Sequence, residues 1–331
     1  MMRVLMAYPF FLKNSALERE WMMPYFPLGI LYLASAVRAA GHEVALFDGT
    51  FAESESAFEQ DLREFGPEVV CIASLVTLRS VALKLGAMSR AQGTQVFYGG
   101  ADPSIDPTAY LKDDEVVVRG EGEVTLVELL DALDKQSDLS AVSGIAYCTS
   151  SGIHETAPHD PIWNLDTLPL PARDLVDAVP YWNAWREIHG YTSITLAVSR
   201  GCPYGCEYCA NSAVGPHFRR RSPQNVAQEM KLLEVQSAPD RFRLVDDLEG
   251  LGEDWLTELG EAMQAAGVTT LYEGLQGISW AELPMYSPMK GLCGKRNRYI
   301  PRISEHPHAP PILDVALLQE RWGQGIIPQN A

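Results

Sequence analysis

Short apolar runs rich in β-branched residues recur about every 30 residues in the first part of the chain, with helical spacing between them. Arg3-Val-Leu-Met-Ala-Tyr8, Glu43-Val-Ala-Leu-Phe-Asp48, Val69-Val-Cys-Ile-Ala-Ser74 and Thr94-Gln-Val-Phe-Tyr98 read as strands. A helix from about Leu28 to Ala40, ended by Gly41, and another near Ser80 to Gln92 fall between them. This alternation predicts an α/β unit, a parallel sheet wound on both faces, and puts any ligand at the carboxyl ends of its strands.

The second part opens on Tyr191-Thr-Ser-Ile-Thr-Leu-Ala-Val198, which alternates as a strand does. Ser222 as N-cap and Pro223 at the first helical position start a helix running to about Val235, and Arg241-Phe-Arg-Leu-Val-Asp-Asp247 reads as a second strand ending in two acids. Between the halves, the prolines of residues 150–190 disfavour regular helix and suit an extended linker. Trp182 and Trp185 there either line a cleft or anchor the linker. From about Trp280 the rhythm stops. Residues 281–331 hold seven of the 22 prolines and carry a net charge of +2, against −19 for residues 1–280. The expected organisation is therefore a first domain over 1–149, a linker over 150–190, a partial barrel over 191–280 and an atypical, non-native tail over 281–331.

At 331 residues and 47% hydrophobic, the chain can build two real cores. Its net charge of −17 argues against a nucleic-acid partner, since phosphate binding needs a basic surface. No apolar run is long enough for a membrane span, and the start runs directly into strand chemistry. Cys71 in its apolar run reads as a core residue, and Cys148 and Cys293 stand apart.

Cys202, Cys206 and Cys209, in Ser199-Arg-Gly-Cys-Pro-Tyr-Gly-Cys-Glu-Tyr-Cys-Ala210, are one thiolate short of a closed metal site. A structural zinc takes four ligands, and the nearest further candidate is His217; a cluster on three cysteines leaves one iron open for a small molecule. With Tyr208 before the last cysteine, the run resembles the radical S-adenosylmethionine enzymes. The resemblance implies a 4Fe-4S cluster on the three cysteines, S-adenosylmethionine on the open iron, Tyr208 near its adenine, and Asp246 and Asp247 as strand-end candidates for S-adenosylmethionine, with a helix N-cap and a solvated acid as their plain alternative. Arg219, Arg220 and Arg221 either neutralise the anionic ligands of a cluster or form a basic surface turn.

Ser74-Leu-Val-Thr77 and Gly99-Gly100, each after a strand, look like a cobalamin-binding domain, in which small residues at Gly99 and Gly100 leave room for the nucleotide tail. Pro27-Leu-Gly-Ile30, Gly99-Gly-Ala-Asp-Pro103 and Val118-Arg-Gly-Glu-Gly-Glu-Val-Thr125 follow in the order found in cobalamin-binding radical enzymes, which the chain resembles over about residues 1–250. On that likeness Ser74, Thr77, Gly99 and Gly100 contact cobalamin. The chain has no histidine before His42, so cobalt is expected to lack a lower histidine from the first loop; His42 itself reads as a surface residue.

The resemblance implies a cytoplasmic enzyme that takes electrons from a flavodoxin- or ferredoxin-type donor. A 5′-deoxyadenosyl radical takes hydrogen from an unactivated carbon of a small molecule, and methylcobalamin delivers a methyl group. Radical cyclisation of a tetrapyrrole-type substrate is the alternative within the family, and an inactive, truncated cobalamin-binding protein the alternative outside it. A methylthiolating enzyme would need a second set of cysteines, which Cys71 and Cys148 do not supply.

Overall fold

The computed structural model describes residues 1–202, 217–245 and 253–273. Five parallel strands make the first half: β1 (Arg3–Tyr8), β2 (Glu43–Asp48), β3 (Val69–Ala73), β4 (Gln95–Gly99) and β5 (Val116–Val118), lying in the order β2-β1-β3-β4-β5. The winding reverses at β1, which leaves a crevice beyond the carboxyl ends of β1 and β3. A hairpin, β6 (Ile145–Thr149) and β7 (Gly152–Glu155), extends the sheet antiparallel from β5, so the sheet runs a few residues past position 149.

α1 (Ala16–Trp21) and α2 (Leu28–Ala39) follow β1; α3 (Glu55–Phe65), α4 (Arg79–Ala91), α5 (Ala101–Ile105) and α6 (Gly122–Asp134) follow the next four strands in turn. Adjacent strand residues face opposite sides, so Met6 and Val69 join Ile30 of α2 and Leu129 of α6 in one core, while Leu5 and Val70 join Phe58 of α3 and Leu85 of α4 in the other. Cys71 is buried in the first core, and burial pushes its thiol up, away from thiolate chemistry. His42 departs from the surface reading: it is 7% exposed, and its Nδ1 accepts the Met2 N–H at 3.2 Å, so a ring in a turn gains a partner that lets it bury.

The proline-rich segment is not extended throughout. It contains α7 (Ala178–His189), with Asp177 accepting from the Val179 N–H at 3.1 Å as N-cap. Pro180 sits in the first turn, where the missing N–H is no loss. Trp185 is buried and donates its indole N–H to the Pro24 carbonyl at 2.7 Å, while Trp182 packs with Phe26 and Tyr181; both anchor the segment to the first domain.

Three parallel strands, β8 (Ser193–Leu196), β11 (Arg241–Leu244) and β12 (Leu271–Glu273), form a second, open sheet in the order β12-β11-β8. α8 (Pro223–Ser237) and α9 (Glu253–Ala266) cover one face, where Ile194, Leu196, Met230, Phe242 and Leu259 are buried together. Ser222 caps α8 by accepting from the Asn225 N–H at 3.1 Å. A short antiparallel pair, β9 (Ser199–Arg200) with β10 (Arg219–Arg220), closes the base of the cysteine segment. The architecture is an incompletely closed parallel sheet behind a doubly wound domain. The atypical tail expected over 281–331 lies outside the described residues.

Candidate cofactor site between the two sheets

A cavity of about 740 Å³ opens where the carboxyl ends of both parallel sheets meet. One wall comes from the first domain: Ser74 after β3, Gly99 and Gly100 at the end of β4, and Gly120 to Glu123 leading into α6. The opposite wall is Ala197, Ser199 to Gly201, Arg243 and Val245, at the ends of β8 and β11. Tyr8, Trp21, Met23 and Tyr25 close a third side. Burial raises Tyr8 and Tyr25 above the ordinary phenol value, so both stay protonated at neutral pH.

The two glycines differ in what makes them necessary. Gly100 has φ +108 and a Cβ there would lie 2.5 Å from the Ser74 carbonyl oxygen, so the backbone itself excludes a side chain. A Cβ on Gly99 would meet nothing nearer than the Val118 carbonyl oxygen at 3.7 Å. The polypeptide gives Gly99 no reason to be glycine, and the free space beside it in the cavity wall fits a flat ligand group lying on the sheet.

Ser74 is buried, and its hydroxyl meets Tyr110 Oη at 2.8 Å. The Tyr110 hydroxyl donates to Asp102 Oδ2, and Arg79 grips Asp102 with Nε and Nη2, each at 2.7 Å. Arg79 holds the Asp102 carboxyl below the usual carboxylate range; burial first, and then the bond to Asp102, pushes Tyr110 up to about 12. The chain of contacts fixes Ser74 at the cavity wall. Thr77 lies exposed in the turn before α4 and is not part of that wall.

Arg219 and Arg221 correct the surface-turn reading. Both are buried. Arg219 Nη1 reaches Glu121 Oε2 at 2.6 Å, and Arg200 binds Glu121 at 3.0 Å and Glu123 at 2.5 Å. Arg221 pairs with Glu229 Oε2 at 2.5 Å, and Arg173 with Glu229 Oε1 at 3.0 Å. Burial opposes the charge on Arg200, yet Glu123 and Glu121 keep it firmly protonated; burial alone would raise Glu121, but hydrogen bonds from Arg219, the Ile162 N–H and Arg200 hold it low. Arg200 and Arg219 thus join the second domain to the first, while Glu229 pairs with Arg221 inside the second domain and draws in Arg173 of the linker. Arg220 stacks over Phe218 and Trp255 at 4.9 and 5.0 Å.

Cys202 follows directly on Gly201 of the wall and is half-buried. Cys206, Cys209, Tyr208, Asp246 and Asp247 lie outside the described residues, as does Cys293. His217, weighed as a zinc ligand, rests its ring 5.2 Å from that of Trp163. Among the described residues no three His, Cys, Asp or Glu side chains gather as metal ligands, and no helix is long and apolar enough to cross a membrane. Tyr110, Asp102, Arg79 and the Glu121 cluster are the site residues that sequence reading did not single out. Asp102 and Glu121 nevertheless stand inside quoted motifs, and their polar side chains among glycines were the available signal.

A model of the B12 binding domain matches residues 22–130. The chain is 27% identical over 311 residues to an uncharacterised methyltransferase of Pyrococcus horikoshii, covering 84% of this chain and 66% of that protein. It is 29% identical over 251 residues to the anaerobic magnesium-protoporphyrin IX monomethyl ester cyclase of Synechocystis, covering 73% of this chain and 49% of the cyclase. It thus spans between about half and two thirds of the length of these curated relatives. Among solved structures, the cobalamin-dependent S-adenosylmethionine radical enzyme OxsB superposes with a TM-score of 0.71 at 18% identity, over 90% of this chain and 43% of OxsB, a likeness of fold. The chain therefore carries a B12-binding domain followed by a radical-SAM-like fold, the fold it shares with OxsB.

Proposed function

We propose that this protein is a cobalamin-dependent radical S-adenosylmethionine enzyme that transfers a methyl group to an unactivated carbon of a small molecule. The observation that carries the reading is the shared cavity: Ser74, Gly99 and Gly100 line it from one sheet, and the lead-in to Cys202 lines it from the other. On this reading Cys202, Cys206 and Cys209 hold a 4Fe-4S cluster, and Tyr208, Asp246 and Asp247 contact S-adenosylmethionine. Ser74, Gly99 and Gly100 receive cobalamin; Thr77 takes part only if its turn closes over the ligand. When bound, the cluster and S-adenosylmethionine supply hydrogen abstraction, and cobalamin supplies the methyl group.

The chain's own residues bind, shape and exclude. Gly99 leaves a flat floor, the Tyr110 and Asp102 relay keeps Ser74 in place, and Trp21, Met23, Tyr25 and Tyr8 keep water from one side of the cavity. Arg200 and Arg219, neutralised by Glu121 and Glu123, bring no net charge to it. A reducing cytosol and a flavodoxin- or ferredoxin-type donor suit this chemistry.

Likeness to the Synechocystis cyclase favours a second reading, radical cyclisation of a tetrapyrrole-type substrate at the same cavity. A cobalamin-binding protein without catalysis is the reading from another class. The experiment is anaerobic reconstitution with iron, sulfide and aquacobalamin, followed by reductant and S-adenosylmethionine, with 5′-deoxyadenosine measured by chromatography. Formation of 5′-deoxyadenosine that is lost in Cys206→Ala supports an enzyme; cobalamin uptake without it supports the non-catalytic reading.

A further inference from the structure

Gly120 to Glu123 of the segment Val118-Arg-Gly-Glu-Gly-Glu123 line the cavity, and Glu121 accepts three hydrogen bonds there from beyond the first sheet. Glu121 occupies the N-cap position of α6, but its side chain does not cap that helix. Glutamate is also a poor choice for that role. Instead the carboxylate turns to the second domain. Its Oε1 accepts from Arg200 Nη1 at 3.0 Å, and its Oε2 accepts from Arg219 Nη1 at 2.6 Å and from the Ile162 N–H at 2.8 Å. Arg219 Nη1 also donates to the Ile162 carbonyl at 3.0 Å, closing the ring of contacts.

Arg200 belongs to β9 and Arg219 to β10, the two strands from which the cysteine segment departs and to which it returns. Each strand is two residues long, and a pair that short does not hold itself in water. Gly120, at φ +76, lets the chain turn directly after β5, so Glu121 stands on the rigid end of the first sheet.

We propose that Glu121 is a positioning residue that holds β9 and β10, the two feet of the cysteine segment, on the B12-binding domain. The functional meaning rests on the reading that the segment carries the cluster. The anchoring itself stands on the apoprotein.

Hydrogen–deuterium exchange on the full-length apoprotein tests it, comparing Glu121→Ala and the near-isosteric Glu121→Gln with the unaltered chain. Amides of residues 198–200 and 219–221 are expected to exchange about tenfold faster in Glu121→Gln and faster still in Glu121→Ala, while β1, β3 and β4 keep their protection. Unchanged exchange in β9 and β10, or an equal rise across the whole chain, overturns the assignment. If the alanine variant does not fold, the glutamine variant carries the test alone. In reconstituted protein, positioning broadens the electron paramagnetic resonance line of the reduced cluster in Glu121→Gln at unchanged iron content, whereas a merely stabilising role lowers iron content and leaves the line shape alone. Because exchange needs neither cofactor, failure of the unaltered protein to bind cobalamin or a cluster sinks the proposed function and leaves the anchoring result to be judged by itself.

Discussion

Gly100 and Ser74 touch through their backbones: a Cβ on Gly100 would lie 2.5 Å from the Ser74 carbonyl oxygen and 3.2 Å from its nitrogen. Gly100 therefore serves the fold, whereas a Cβ on Gly99 would meet only ordinary contacts, and the proposed function gives Gly99 to the ligand. Gly100→Ala is expected to cost on the order of 2 kcal/mol from its positive φ and this contact together. Gly99→Leu is expected to keep its melting temperature and to weaken aquacobalamin binding by at least about tenfold, or roughly 1.4 kcal/mol, in an absorbance titration. Equal melting losses in the two variants would undo the distinction.

Gly86 of α4 exists to admit Tyr98. A Cβ at Gly86 would lie 1.7 Å from Tyr98 Oη and 2.7 Å from its Cζ. Gly86→Ala is expected to destabilise by about 1–3 kcal/mol through overpacking, despite the better helix propensity of alanine. Adding Tyr98→Phe removes the nearest atom and should recover part of the loss, which a double-mutant cycle in urea would measure.

Glu229 is shared between Arg221 and Arg173, with side-chain exposures of 2%, 5% and 11% respectively. Glu229→Ala leaves two buried guanidinium groups without their carboxylate and is expected to cost about 3–5 kcal/mol. Chemical unfolding followed at the tryptophans checks this, and a loss below about 1 kcal/mol would mean that solvent reaches the pair.

Glu234 ties α8 to the turn before β12. Its Oε1 accepts from the Thr269 and Thr270 N–H groups, both at 2.8 Å, and its Oε2 from Lys231 Nζ at 2.8 Å. Burial opposes these bonds but loses to them, and the carboxyl falls from an ordinary 4.5 to about 2. Because the folded value is the lower one, this stabilisation is present above pH 4.5 and fades as pH falls from there towards 2. It amounts to an order of 2 kcal/mol. Glu234→Gln should flatten the acid limb of a stability–pH curve over that window, and an unchanged limb would show that the carboxylate is not bonded in this way.

The doubly wound domain was legible because its signals are local. Val69-Val-Cys-Ile is a continuous apolar run, as a strand buried on both faces must be, and Gly41 adopts the φ of 91° that a residue just past a helix end takes. The contacts that join the domains were not legible, since Glu121 lies 79 residues from Arg200 and 98 from Arg219. Nothing in Phe218-Arg-Arg-Arg distinguishes a buried arginine from a solvated one until a carboxylate from elsewhere arrives. His42 misled for the same reason, its partner being the backbone of Met2. In the proline-rich segment, composition outweighed position: Pro180 falls in a first turn, where it is harmless. The glycines were readable as special, but only the geometry separates the one required by the backbone from the one the backbone does not require.

On the proposed function, cobalamin and the cluster face one cavity from opposite walls. The most direct measurement is electron paramagnetic resonance of the anaerobically reconstituted protein, following the relaxation of cob(II)alamin with the cluster oxidised and then reduced, in unaltered protein and in Cys206→Ala. Faster cob(II)alamin relaxation on reduction of the cluster, lost in Cys206→Ala, is the expected result; a cob(II)alamin signal indifferent to the cluster, or no cluster at all, would contradict it.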